Sequence, residues 1–294
     1  MDNGERLNDN VTWVKGSHSF TFGLDFRNQL YATYAFDTDT GVYNFARAET
    51  AADQAVSGQS GNGIASFLLG TVDNANAFIQ GHVLRWTFQY YGGFLEDNWK
   101  VRPSLTLNLG LRYSIDVPRI ESHNDTSNFD PNLANPAAGN LLGAMIFGSD
   151  CNGCNVRWAN TKYHDVAPRL GFAFNPHGGR IVYRGGYGII YGPLQYTDFG
   201  GDMTQGYSAT PTFTSSNGFN PAFQWDNGFP AFSPPPTLNP SILNGNIPDW
   251  IQPRFGQPPI VQSWSFQIQG QLSRDTVATS DMPACARKIC APRS

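Results

Sequence analysis

Between Ser104 and Asp116 the chain alternates without a break. Leu105, Leu107, Leu109, Leu111, Tyr113 and Ile115 take one parity, and Ser104, Thr106, Asn108, Gly110, Arg112 and Ser114 take the other. A period of two sends successive side chains to opposite faces of a strand. Strands of soluble sheets run to about five or six residues, whereas crossing a bilayer at a tilt takes roughly 9 to 11. The same alternation returns in Phe20, Phe22, Leu24 and Phe26, in Trp86, Phe88 and Tyr90, and in Leu170, Phe172 and Phe174. It recurs in Ile181, Tyr183, Tyr187, Ile189 and Tyr191, and in Trp264, Phe266, Ile268 and Leu272.

The connections are ordered too. Short turns at 15–17, 100–103 and 176–179 alternate with long stretches at 35–76, 119–162 and 193–258, so the short turns fall on one rim and the long loops on the other. Compact soluble domains rarely carry several loops longer than about 15 residues, while outer-membrane barrels carry them at one rim by habit. The pattern predicts an all-β chain: a partial transmembrane antiparallel up-and-down β-barrel of about seven long strands. Helical turns are expected only in the first long loop, over 46–56 and 63–70. Pro234, Pro235 and Pro236 forbid a strand through the third.

Composition agrees. Charged residues are 14% of the 294, aromatics another 14%, and there are 31 Gly and 20 Pro, a mixture that penalises helix interiors and favours pleated surfaces. No run of about 18 apolar residues suggests a spanning helix, and the mean hydropathy of −0.35 does not exclude a barrel, because only alternate side chains meet lipid. A net charge of −4 with no basic cluster before the last few residues excludes nucleic acid as the expected partner. Met1 to Asn10 lacks the regions of a signal peptide.

Several separated blocks resemble the barrel of TonB-dependent receptors, most closely the Oar-like branch. They are Gly16-Ser-His-Ser-Phe-Thr-Phe-Gly-Leu-Asp-Phe-Arg27, Phe94-Leu-Glu-Asp-Asn-Trp-Lys-Val101, Leu105-Thr-Leu-Asn-Leu-Gly-Leu-Arg-Tyr113, Ala167-Pro-Arg-Leu-Gly-Phe172, Arg184-Gly-Gly-Tyr-Gly188 and Val261-Gln-Ser-Trp-Ser-Phe266. The acidic-Asp-x-Trp-Lys turn leading into a Leu-alternating strand that ends Gly-Leu-Arg-Tyr is the most specific. The resemblance covers about residues 6 to 276. It implies a bacterial outer-membrane barrel of about 22 strands around a plug, with lipid, the plug and TonB as partners and uptake of an unidentified small organic, siderophore or carbohydrate ligand. No cofactor, metal or enzymatic site is expected, because no motif for one is found. The chain carries only part of that pattern, without the plug or TonB box, and divides into a partial barrel, 1–276, and an unrelated or frameshifted disordered tail, 277–294.

On the polar parity stand the lumen-facing or plug-facing candidates Asp25, Arg27, Asn108, Arg112, Arg169 and Arg184. They either contact a plug or solvate a polar lumen. Trp225, Trp250, Phe213, Phe219 and Phe223 in the third loop suit either loop packing or stacking on a flat ligand. Cys151 and Cys154 have the spacing of a small loop disulfide, with two free thiols or half a metal site as alternatives. The glycine-rich run 184–192 lacks phosphate-cradle spacing, no nucleophile elbow is present, and His18 is expected in a turn. Two other architectures stay open: a secreted or surface β-sandwich that binds carbohydrate or mediates adhesion, which needs shorter strands buried in two sheets, and a passive porin-type barrel.

Overall fold

The computed structural model describes residues 3–33, 40–81, 83–192, 203–252 and 258–288. Eight long strands form one sheet in which every strand pairs with its neighbour in sequence. They are β1 (Asn3–Lys15), β2 (His18–Thr33), β3 (Leu84–Arg102), β4 (Leu105–Glu121), β5 (Asp165–Phe174), β6 (Ile181–Tyr191), β7 (Ile260–Gln271) and β8 (Val277–Lys288). All their pairings are antiparallel. Short turns join β1 to β2, β3 to β4, β5 to β6 and β7 to β8, and long loops join the rest, so the two rims differ as the alternating loop lengths implied. The first turn closes on Gly16 at φ 60°, a left-handed position that a side chain would strain. A two-sheet sandwich is not what this sequence builds.

The tail differs from its expectation. Residues 277–288 form β8, paired along its whole length with β7; residues 289–294 lie outside the described part. Trp264 faces Ala284, Phe266 faces Met282 and Ile268 faces Ser280, so small and flexible side chains continue the apolar face of β7. An alternation of Ala, Ser and Met carries little hydropathy contrast, and Pro283 breaks the usual strand composition. Proline is tolerated here because β8 is an edge strand that needs no full ladder on its outer side.

The two faces of the sheet are inverted relative to a soluble protein. Leu24, Leu111, Leu170 and Trp264 are 70%, 49%, 53% and 46% exposed, whereas Asp25, Ser114 and Asp165 are only 5%, 5% and 6% exposed. Cross-strand register fixes which residues share a face: Leu24 lies opposite Gly93, which lies opposite Tyr113, which lies opposite Val166. One residue over, Asp25, Gly92, Ser114 and Asp165 form the parallel row on the other side.

One row moves from its expected place. Trp86, Phe88 and Tyr90 alternate like the lipid-facing rows, yet register sets Tyr90 opposite Arg27, Phe88 opposite Gln29 and Trp86 opposite Tyr31, on the polar face. Their rings are useful there because guanidinium groups lie over them: Arg27 is 4.8 Å from the Tyr90 ring centre and Arg119 is 4.1 Å from that of Trp86. Cation–π contacts run from about 0.5–1 kcal/mol at exposed sites to about 2 kcal/mol or more when desolvated.

The buried apolar core lies in the loops rather than between sheet layers. The first and third loops are joined by short antiparallel ribbons, Thr71–Val72 with Phe223–Gln224, Asn74–Asn76 with Thr212–Thr214 and Ile79–Gln80 with Ser208–Ala209. The second loop folds into a hairpin, Ser127–Asn135 with Leu141–Phe147. Trp158 and Ala159 of that loop pack with Met203 and Ile251 of the third, and Met145 and Phe147 pack with Tyr207. The helix of the first loop, α1 (Gly63–Leu68), is capped by the Asn62 side chain, which accepts from the Ile64 N–H at 2.8 Å. Stretches expected to be irregular thus knit into one body, because backbone donors in one loop find carbonyls in another.

Candidate functional site

On the polar face, β2 aims Asp25 and Arg27 to the same side, two residues apart. The Arg27 guanidinium grips the Asp25 carboxylate with two donors, Nε to Oδ1 at 3.1 Å and Nη2 to Oδ2 at 2.5 Å. Arg6 on β1 and Arg112 on β4 approach the same carboxylate at 3.5 and 3.6 Å. Arg112 also donates to the Tyr90 hydroxyl at 2.7 Å. One buried carboxylate therefore organises three guanidinium groups from three strands, a charge-assisted arrangement that fixes side-chain geometry more firmly than a single exposed pair.

Beside this network lies a cavity of about 410 Å³, lined among others by Arg27, Tyr90, Arg112, Asp116, Arg169 and Tyr191. Arg169 also reaches Glu96 at 3.7 Å, with both side chains about half exposed. Of the six polar candidates, the structure brings Asp25, Arg27 and Arg112 into contact and sets Arg169 on the same cavity. Asn108 and Arg184 share the face but stand apart, Asn108 between Asn98 and Gly171 and Arg184 between Ala173 and Gln267. The sequence reading missed Arg6, Tyr90, Glu96 and Asp116. Register alone finds them, since Arg6 and Tyr90 lie opposite Arg27, Glu96 lies diagonal to Asn108 and Arg112, and Asp116 lies opposite Tyr90, but register is set by long-range pairing.

At the loop end, Glu121 closes β4 beneath the second loop. Its carboxylate, wholly buried, accepts from the backbone N–H of Arg85, His123 and Asp125 at 3.0, 2.7 and 3.1 Å, and from Ser122 Oγ at 3.1 Å. Burial pushes its pKa up, and these donors more than reverse it, holding the group below the ordinary glutamate value. Among the loop aromatics, Trp225 stacks on Tyr43 at 5.0 Å, and Phe213 and Phe223 pack with Phe229. Trp250 sits apart, edge-on to Phe129. Phe219 takes its place in a tight turn, its N–H donating to the Asn217 side chain. Cys151 and Cys154 are bonded to each other in the second loop.

Among the described residues no helix is long and apolar enough to cross a membrane, but the strands are long enough to do so. β3, with 19 residues, and β4, with 17, are longer than the roughly 9 to 11 that suffice, so the stretch next to the short turns, about 105–115 of β4, can cross and Glu121 lies beyond it. Backbone groups paired between neighbouring strands, an exposed apolar face and an opposite polar face are what a bilayer demands of a spanning β-structure, and the eight strands provide them everywhere but at the outer edges of β1 and β8. These features define the wall of a membrane β-barrel.

A family model described as "Outer membrane beta barrel domain" matches residues 2–281. The chain belongs to that family, and its place is the bacterial outer membrane. No curated protein and no solved structure matches it.

Proposed function

We propose that this chain is part of the wall of a TonB-dependent outer-membrane receptor of the Oar-like branch, which takes up a small organic, siderophore or carbohydrate-like ligand past a plug held in its lumen. The observation that carries the reading is the guanidinium cluster around Asp25, with Arg169 on the adjoining cavity. Charged side chains fixed by their neighbours and aimed into a lumen suit a plug that must be held and yet be displaced. The ordered blocks Glu96 to Tyr113 and Arg184 to Gly188 support the same branch. The role is passage of a ligand, without catalysis, and the loops knit over one end are where a ligand meets the molecule first.

Planar-bilayer conductance of the native protein extracted from outer membranes tests this reading. A plugged receptor is silent and begins to conduct when urea loosens the plug. Steady conductance without urea contradicts it and favours a passive porin.

A further inference from the structure

The outward face at the short-turn rim has an order of its own. Trp13 on β1 stacks with Phe20 on β2 at 5.6 Å, and the His18 ring lies between Phe20 at 5.3 Å and Trp99 at 5.1 Å. His18 is the first residue of β2 rather than part of the turn, and its Nδ1 is 2.7 Å from the Asp97 carboxylate. Register puts Trp13, Phe20, His18, Trp99 and Leu107 on the apolar, lipid-facing side. Aromatic girdles at this height are common to such walls; here two cations lie against the rings.

Lys15, the last residue of β1, holds its ammonium 5.4 Å from the centre of the Trp13 ring. Arg102, the last residue of β3, holds its guanidinium 5.6 Å from the Phe174 ring. The outward aim of Arg102 is made by a bulge. Lys100 faces Thr106 on the polar side, the register then shifts, and Arg102 faces Leu105 on the lipid side. Without that extra residue the alternation would turn Arg102 inward, and bulges are a means of re-aiming a side chain. The carboxylate on this outward rim, Asp97, is engaged by His18, and Lys15 and Arg102 have no carboxylate in ion-pair range among the described residues.

We propose that Lys15 and Arg102, seated over their aromatic rings, form a binding surface for the headgroups of anionic glycerophospholipids in the leaflet at the short-turn rim. The rings mark the boundary between hydrocarbon and headgroup; Lys15 stands two residues past Trp13 at the end of β1, and Arg102, at the end of β3, stands three past Trp99 and level with Phe174, which sets both cations toward the headgroups. This surface faces lipid and is independent of what the lumen carries.

Intrinsic tryptophan fluorescence of the full chain, titrated with phosphatidylcholine vesicles and with vesicles containing phosphatidylglycerol, is the test. Each cation near an anionic surface contributes about fivefold in partition, so the chain should prefer the anionic vesicles, and added salt should weaken that preference. Lys15→Gln and Arg102→Gln should each lower it by roughly fivefold and leave binding to phosphatidylcholine unchanged, and Lys15→Arg should retain it. Lys100→Gln, at the same rim on the opposite face, is the control for charge alone. Equal partition of the unaltered chain into both vesicles overturns the proposal, as does an effect of Lys100→Gln equal to that of Arg102→Gln. Loss of binding to both vesicle types in the two outward variants also overturns it, because it would mean that they act through folding.

Discussion

Asp25 is the residue on which most polar contacts of the wall converge. Replacing it with Asn removes the charge that Arg6, Arg27 and Arg112 share and should cost about 1.5–3 kcal/mol, the range for hydrogen bonds to charged groups. Arg184→Gln, on the same face but outside the network, should stay within about 0.5 kcal/mol. Urea unfolding midpoints in detergent distinguish the two. Glu121 gives a prediction in pH. Its folded pKa is lowered, so its contribution is full above the ordinary glutamate value and is lost as pH falls through the lower folded value. Protection of the His123 and Asp125 amides, taken relative to the intrinsic exchange rate at each pH, should therefore fall on acidification, and Glu121→Gln should abolish that step.

At the scale of the element, the strands and their order were legible in the sequence wherever bulky apolar and polar residues alternate, as in β4. Two features were not. The Trp86, Phe88, Tyr90 row looks like a lipid row because periodicity reports that a strand has two faces and not which of them meets lipid; the pairing of Tyr90 with Arg27 decides that. β8 was hidden because its lipid-side residues are mostly Ala and Ser. Of the candidate site, the shared face of the six residues follows from parity, while the clustering of Asp25, Arg27 and Arg112 depends on pairing between strands far apart in sequence. The face assignment has a direct energetic consequence. Leu109→Arg on β4 should destabilise the protein in a bilayer by about 2–4 kcal/mol, and Asn108→Arg, one residue away on the polar face, by well under half of that. Folding titrations in lipid vesicles measure both, and equal effects would refute the assignment.

For the whole molecule, stability is divided between two kinds of structure. The wall holds its backbone hydrogen bonds between strands and leaves its apolar face to lipid, while the second and third long loops carry the buried core around Trp158, Met203 and Ile251. A protein so arranged gains nothing from exposed leucines in water, where contiguous apolar patches are rare, and gains the transfer of those side chains when a bilayer surrounds it. The most direct measurement is a spin-label scan of β4 from Leu105 to Ile115, one cysteine at a time in a chain otherwise freed of cysteine, reconstituted in lipid. Accessibility to oxygen should peak at Leu107, Leu109, Leu111 and Tyr113, and accessibility to a water-soluble nickel complex at Asn108, Gly110 and Arg112. Oxygen peaks on the even-numbered residues, or no alternation at all, would contradict a wall that turns its leucines to lipid.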